Sequence, residues 1–139
     1  ILIDAERSRG RSTEEIRRDE AEFQRKVLQM KIGAESRIQP ERVTFFERGI
    51  PDSVAYYQIC GQDVGYVIAA SRTRRYKGVF LLEQLPFEED YARVEDENLA
   101  RSLSQLLYDS YSNLGYEVVS VPVKPIDERT NFILSRIQK

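Results

Sequence analysis

Apolar positions along the chain fall into segments of two periods, separated by glycine and proline. From Ser12 the pattern is helical. Ser12-Thr13-Glu14-Glu15 has the capping-box form, in which a serine and the third following glutamate satisfy each other's free amides. Ile16, Phe23, Val27, Met30, Ala34 and Ile38 then recur at helical spacing, which predicts one apolar face of a long helix ended by Pro40. Arg17, Arg18, Glu22 and Lys26 read as the solvated side of that helix. Val43-Thr44-Phe45-Phe46 is a short β-branched and aromatic run without alternation, the pattern of a strand covered on both faces. Gly49 and Pro51 break it, and Pro51 opens a helix that reaches Cys60, with Gly61 just past its end.

A further helix is expected from Val64 to Ser71, then a strand at Val79-Phe80-Leu81-Leu82. Leu99, Leu103, Leu106, Leu107 and Leu114 mark the next helix, stopped by Gly115. Tyr116 to Val121 reads as a third strand ended by Pro122. A last helix from Pro125 or Ile126 carries Phe132, Ile133 and Ile137 inward. Strands alternating with helices are the mark of an α/β fold, a parallel sheet flanked by helices. No repeat, low-complexity tract or linker interrupts the chain, so residues 1–139 read as a single domain. Three strands are few for so much helix, and the chain opens Ile1-Leu2-Ile3 with Met30 as its only methionine. The expectation is a domain that is N-terminally truncated in this sequence.

Composition narrows the chemistry. The 139 residues are 41% hydrophobic and 32% charged, which fits neither a membrane protein nor a disordered tail. No apolar run approaches the roughly 18 residues of a membrane span, so no membrane partner is expected. With 21 basic and 23 acidic residues the net charge is -2, which argues against nucleic acid as a partner. Histidine is absent, which removes Ser-His-Asp and Cys-His catalysis and every histidine-based metal site. The single Cys60 allows no internal disulfide and suits a reducing, cytoplasmic setting, where it reads as a small core hydrophobe.

In open α/β sheets ligands bind beyond the carboxyl ends of the strands. Three places answer to that rule: Glu47-Arg48-Gly49-Ile50-Pro51-Asp52, Glu83-Gln84 and Val123-Lys124. The first sets a carboxylate and a guanidinium side by side. A carboxylate there can orient or deprotonate a hydroxyl, or reach Mg²⁺ through water, and the arginine can grip a phosphate with its planar fork. An ordinary ion pair at a strand end is the other reading. Arg72-Thr73-Arg74-Arg75-Tyr76-Lys77 offers cations for nucleotide phosphates, with Arg72 and Arg75 as the candidates; the alternative is a solvated helix end. In Arg93-Val94-Glu95-Asp96 the acids suit a helix N-terminus, whereas Arg93 needs a phosphate or a salt bridge to Asp90 to explain it. No Gly-x-x-x-x-Gly-Lys-[Ser/Thr] occurs in the 139 residues.

The ordered set of these motifs resembles a known family. Phe45-Phe46-Glu47-Arg48-Gly49-Ile50-Pro51-Asp52-Ser53-Val54-Ala55-Tyr56 is similar to the FF-[DE]-R-G-x-P-D-x-x-x-Y signature of the AAA-type ATPase/kinase domains, P-loop proteins akin to nucleoside kinases and bacterial nicotinamide riboside kinase. Asp90-Tyr91-Ala92-Arg93-Val94-Glu95 is similar to that family's D-x-x-R-x-E lid segment. Tyr111 to Tyr116, Val121-Pro122 and Arg129 to Ile133 continue the match in order. The resemblance implies a P-loop NTPase-like three-layer sandwich whose first strand and phosphate loop precede Ile1. It implies ATP and Mg²⁺ as cofactors and a small-molecule phosphate acceptor as partner. Under it Glu47 is the base or metal-side carboxylate, Arg48 holds the acceptor, and Arg93 is the lid cation. Asp52 and Glu95 are then substrate-binding carboxylates. Glu47 stands where the family more usually has aspartate. The expected function is kinase-like phosphoryl transfer or ATP hydrolysis, with a non-catalytic, nucleotide-controlled interaction module as the alternative.

Overall fold

A computed structural model describes residues 20–73, 75–83 and 97–137, and these fall into two compact units that divide between 74 and 75. Among them the fold is α/β, with five helices and one parallel pair of strands.

The first unit holds α1 (Glu20–Ser36), α2 (Asp52–Ile59) and α3 (Gly65–Ser71). Leu28 and Val67 are fully buried, and with Ile50, Val54 and Tyr57 they form its core. Ile32, Val64, Ile68 and Ala70 pack around them. The α2 boundaries match the sequence reading, and its ends show why. Pro51 occupies the N-cap at φ -60, the value its ring imposes. At the other end Gly61 turns left-handed at φ 72, the Gly61 N–H donates to the Gln58 carbonyl and the Gln62 N–H to that of Tyr57. That pair of bonds is a Schellman closure, which a residue without Cβ adopts freely.

Two expectations for this unit are corrected. The buried seam of α1 runs through Gln24, Leu28 and Glu35, with Lys31 and Ile32 half-buried. It lies one residue round from the predicted face, and Met30 is 56% exposed. Leu28 and Ile32 meet the α2–α3 core, and polar residues complete the seam because each has a partner: the Gln24 amide donates to Glu20 at 3.0 Å, and Glu35 receives a backbone amide. The stretch from Val43 to Phe46 is no strand. It forms no ladder with any described residue, and Val43 and Phe45 are 76% and 62% exposed. A strand exists only through a hydrogen-bonded neighbour.

The second unit holds β1 (Val79–Leu82), α4 (Glu97–Ser112), β2 (Val118–Val121) and α5 (Ile126–Ile137). β1 and β2 run parallel in the register Val79↔Val118 to Leu82↔Val121, and the Glu83 N–H extends the ladder to the Val121 carbonyl at 2.9 Å. A helix between two parallel strands is the crossover such pairing requires. Both α4 and α5 pack on β2, whose Val121 is fully buried. The predicted third strand is shorter at its start, because Tyr116 joins an aromatic cluster with Tyr76 and Tyr111, its ring centroid 5.7 and 6.0 Å from theirs. Phe132, Ile133 and Ile137 on α5 are half-buried. Among the described residues no helix is long and apolar enough to cross a membrane.

Candidate functional site at the turn into the second helix

The Glu47–Asp52 turn is held by α1 and α2, not by a strand end. Arg48 has φ 68, the left-handed region that costs a Cβ-bearing residue about 1–2 kcal/mol. After it the chain winds directly into α2: the Asp52, Ser53 and Val54 amides donate to the carbonyls of Gly49, Ile50 and Pro51 at 3.2, 2.9 and 3.0 Å. The guanidinium of Arg48 donates to the hydroxyl of Tyr56 and lies 5.8 Å from its ring centre. Burial works against its charge, but Tyr56, Asp52 and Glu47 outweigh it and hold the guanidinium above its ordinary range. Arg48 is therefore a permanent cation, exposed to solvent, with its guanidinium held by Tyr56.

Behind the turn lies a buried polar cluster that the sequence reading missed. Asp52, Ser53 and Glu35 are 6%, 0% and 3% exposed. The Lys31 ammonium donates to the Ser53 hydroxyl at 3.0 Å, and the Ile50 N–H donates to Glu35 Oε2 at 3.3 Å. Burial lowers the Lys31 pKa from its ordinary 10.5; Asp52 opposes that shift, Arg48 adds to it and Glu35 opposes it. Lys31 and Glu35 are one turn apart on α1. That i, i+4 spacing was the available signal, although on a helix surface it usually marks only a solvated pair.

Of the candidates named from sequence, Glu47, Arg48 and Asp52 come together in this turn. Glu47 is exposed, while Asp52 is enclosed in the first turn of α2, where a carboxylate favours the helix dipole. Arg72 is the exposed C-cap of α3 in the same unit. Arg75 belongs to the second unit, where its fork donates to the carbonyls of Leu114 and Gly115 at 3.2 and 3.0 Å and stacks 4.4 Å over the Tyr116 ring. Arg93 and Glu95 lie outside the described residues. Cys60 is half-buried, donates to the Tyr56 carbonyl at 3.0 Å, and has its thiol pKa pushed up by burial and by Glu20.

Among the described residues no three His, Cys, Asp or Glu side chains gather into a metal cage. Mg²⁺ bound with a nucleotide asks for less, one or two carboxylates beside phosphate oxygens and waters. The exposed carboxylate of Glu47, on the same turn as a fixed arginine, fits that donor set.

No curated protein and no solved structure matches the chain. A family model described as an AAA domain matches residues 1–129, which takes in the whole of this turn. The chain thus belongs to the AAA domain family of P-loop type, a nucleotide-binding class.

Proposed function

We propose that the Glu47–Asp52 turn is the phosphoryl-transfer side of a P-loop NTPase-like three-layer sandwich that acts on ATP. The observation that carries this reading is Arg48, a permanent cation on a left-handed backbone, anchored by Tyr56 within the segment matched to the AAA domain. Strained non-glycine residues persist where the surrounding structure holds them, and they cluster at functional sites. Phosphoryl transfer requires mainly placed positive charge and a positioned acceptor. Arg48 supplies a fork for a phosphate or for the acceptor, and Glu47 a carboxylate that accepts the acceptor's proton or holds Mg²⁺. Bound Mg²⁺ would neutralise the phosphate oxygens as charge moves onto the leaving group. In this reading Arg93 is the lid cation and Glu95 the carboxylate that orients it, while Asp52 fixes the turn and Arg72 draws the nucleotide by charge. A small-molecule hydroxyl is the acceptor in the kinase form of this reading, and water in the ATPase form.

The test is MgATP turnover by the full-length protein and by its Arg48→Ala and Arg93→Ala variants, across a panel of nucleosides and small alcohols. Loss of turnover in both variants is expected. Undiminished turnover in both would remove the site assignment, and saturable ATP binding without any product would replace the enzyme with a nucleotide-controlled interaction module.

A further inference from the structure

We propose that Lys31 and Glu35, one turn apart on α1, are positioning residues that grip the turn on both sides of Pro51-Asp52 and so set how Arg48 is presented. This deepens the proposed function and rests on it for its catalytic meaning.

The two grips are distinct in chemistry. Glu35 accepts the Ile50 N–H at 3.3 Å, just before the proline, with both residues 3% exposed. Lys31 donates to the hydroxyl of Ser53 at 3.0 Å, just after Asp52, and Ser53 is fully enclosed. Between these points stands Pro51, which has no N–H to donate and a fixed φ. The chain from Ile50 to Ser53 is thus fastened to α1 from positions 15 and 22 residues away in sequence. Two residues before Ile50, with the buried Gly49 between them, Arg48 sits at φ 68. A left-handed non-glycine residue returns to an ordinary conformation unless its flanks are held. On the far side Tyr56 holds the guanidinium, but a side-chain contact alone does not choose the backbone well.

The charges agree with this role. Lys31 faces Asp52, Glu35 and Arg48, two anions and one cation. Burial pushes its pKa down, and Asp52 and Glu35 work against that push. Replacing Lys31 by an apolar residue would leave two buried carboxylates with less compensation, which loosens such a cluster. A lysine whose only work was to cover apolar surface would keep its ammonium in water.

The experiment measures amide hydrogen exchange at Ile50 in Lys31→Met, Lys31→Arg, Glu35→Ala and Glu35→Gln, with MgATP turnover measured in parallel on the full-length protein. Val54 and Val67 amides report whether each variant keeps its core. The expected result is exchange at Ile50 faster by about tenfold in Lys31→Met and Glu35→Ala, the equivalent of one lost hydrogen bond. Lys31→Arg and Glu35→Gln, which keep a donor and an acceptor, recover most of that protection. Turnover falls in kcat more than in KM for Lys31→Met. In the double variant Lys31→Met/Arg48→Ala the two losses are less than additive, because one residue acts through the other. Unchanged Ile50 protection with an intact core would overturn the grip, and fully additive losses in turnover would overturn its action through Arg48. If the full-length wild type turns over no ATP, the proposed function fails, while the exchange data still decide whether the grip exists.

Discussion

Replacing Arg48 by glycine and by alanine separates backbone strain from side-chain chemistry at the turn. Both substitutions delete the guanidinium, its hydrogen bond to Tyr56 and its approach to the ring. Those losses, about 1 kcal/mol for the hydrogen bond and about 0.5–1 for an exposed cation over an aromatic face, are common to the two variants and cancel in the comparison. What remains is the backbone at φ 68. An alanine there keeps the left-handed cost of about 1–2 kcal/mol, which glycine does not carry. Glycine gives back about 0.5–1 kcal/mol of that through the greater freedom of its unfolded chain. Arg48→Gly should therefore be more stable than Arg48→Ala by about 0.5–1 kcal/mol, a urea midpoint about 0.4 M higher at an ordinary slope. Circular dichroism of the two variants under identical conditions reads the difference. Both should lose ATP-dependent turnover alike, so stability and activity part company at one position. Coincident midpoints, or a higher midpoint for alanine, would refute the strain argument and with it the inference that the turn is kept left-handed for function.

Other outcomes follow from particular contacts. Leu28→Ala, at a fully buried core position, should cost about 2–5 kcal/mol in urea unfolding of the first unit, whereas Met30→Ala on the exposed side of the same helix should cost little. Gly115→Ala should destabilise the second unit by about 1 kcal/mol, since the glycine lies at φ 89, a conformation a Cβ-bearing residue adopts only at a cost, although the added Cβ itself makes no worse than ordinary contact with the Arg75 guanidinium. The lowered Lys31 pKa gives a pH signature. The folded state releases this proton before the unfolded one, so between the folded pKa and 10.5 the unfolded chain holds more protons and stability rises with pH. Below that window the burial cost of the charged amine is constant. Lys31→Met should remove this rise, and urea midpoints taken through the window for wild type and variant would show it; parallel profiles would contradict it.

The helix from Asp52 to Ile59 was legible because its punctuation is local: Pro51 fixes the entry and Gly61 the exit, whatever lies around them. The β1 and β2 strands were legible as apolar runs bounded by turn residues, and their parallel pairing followed from the helix between them. Val43-Thr44-Phe45-Phe46 has equal strand character, yet strand formation depends on a neighbour that composition does not report. The most buried face of α1 lies one residue round from the face that its apolar residues mark, on which Phe23 and Val27 are half-buried. The packed side includes Gln24 and Glu35, whose burial is explained only by partners elsewhere in the chain. The same limit governs the site. Glu47, Arg48 and Asp52 are adjacent and could be read as one motif. Lys31 and Glu35 reach that motif across a fold, and on the page their spacing looks like any solvated helical pair. Arg75 stands in a basic run that reads either as cations for phosphate or as a solvated helix end, and the sequence alone does not show that its fork closes on two backbone carbonyls in the turn after α4.

The central claim is that the Glu47–Asp52 turn handles a transferring phosphoryl group. Transfer of γ-phosphate from labelled MgATP, to an acceptor or to water, measured for full-length wild type beside Arg48→Ala, tests it most directly. The account expects measurable transfer by the wild type and a fall of about a hundredfold or more in the variant, the scale of losing one placed charge at a reacting centre. Equal transfer by the two proteins would contradict it.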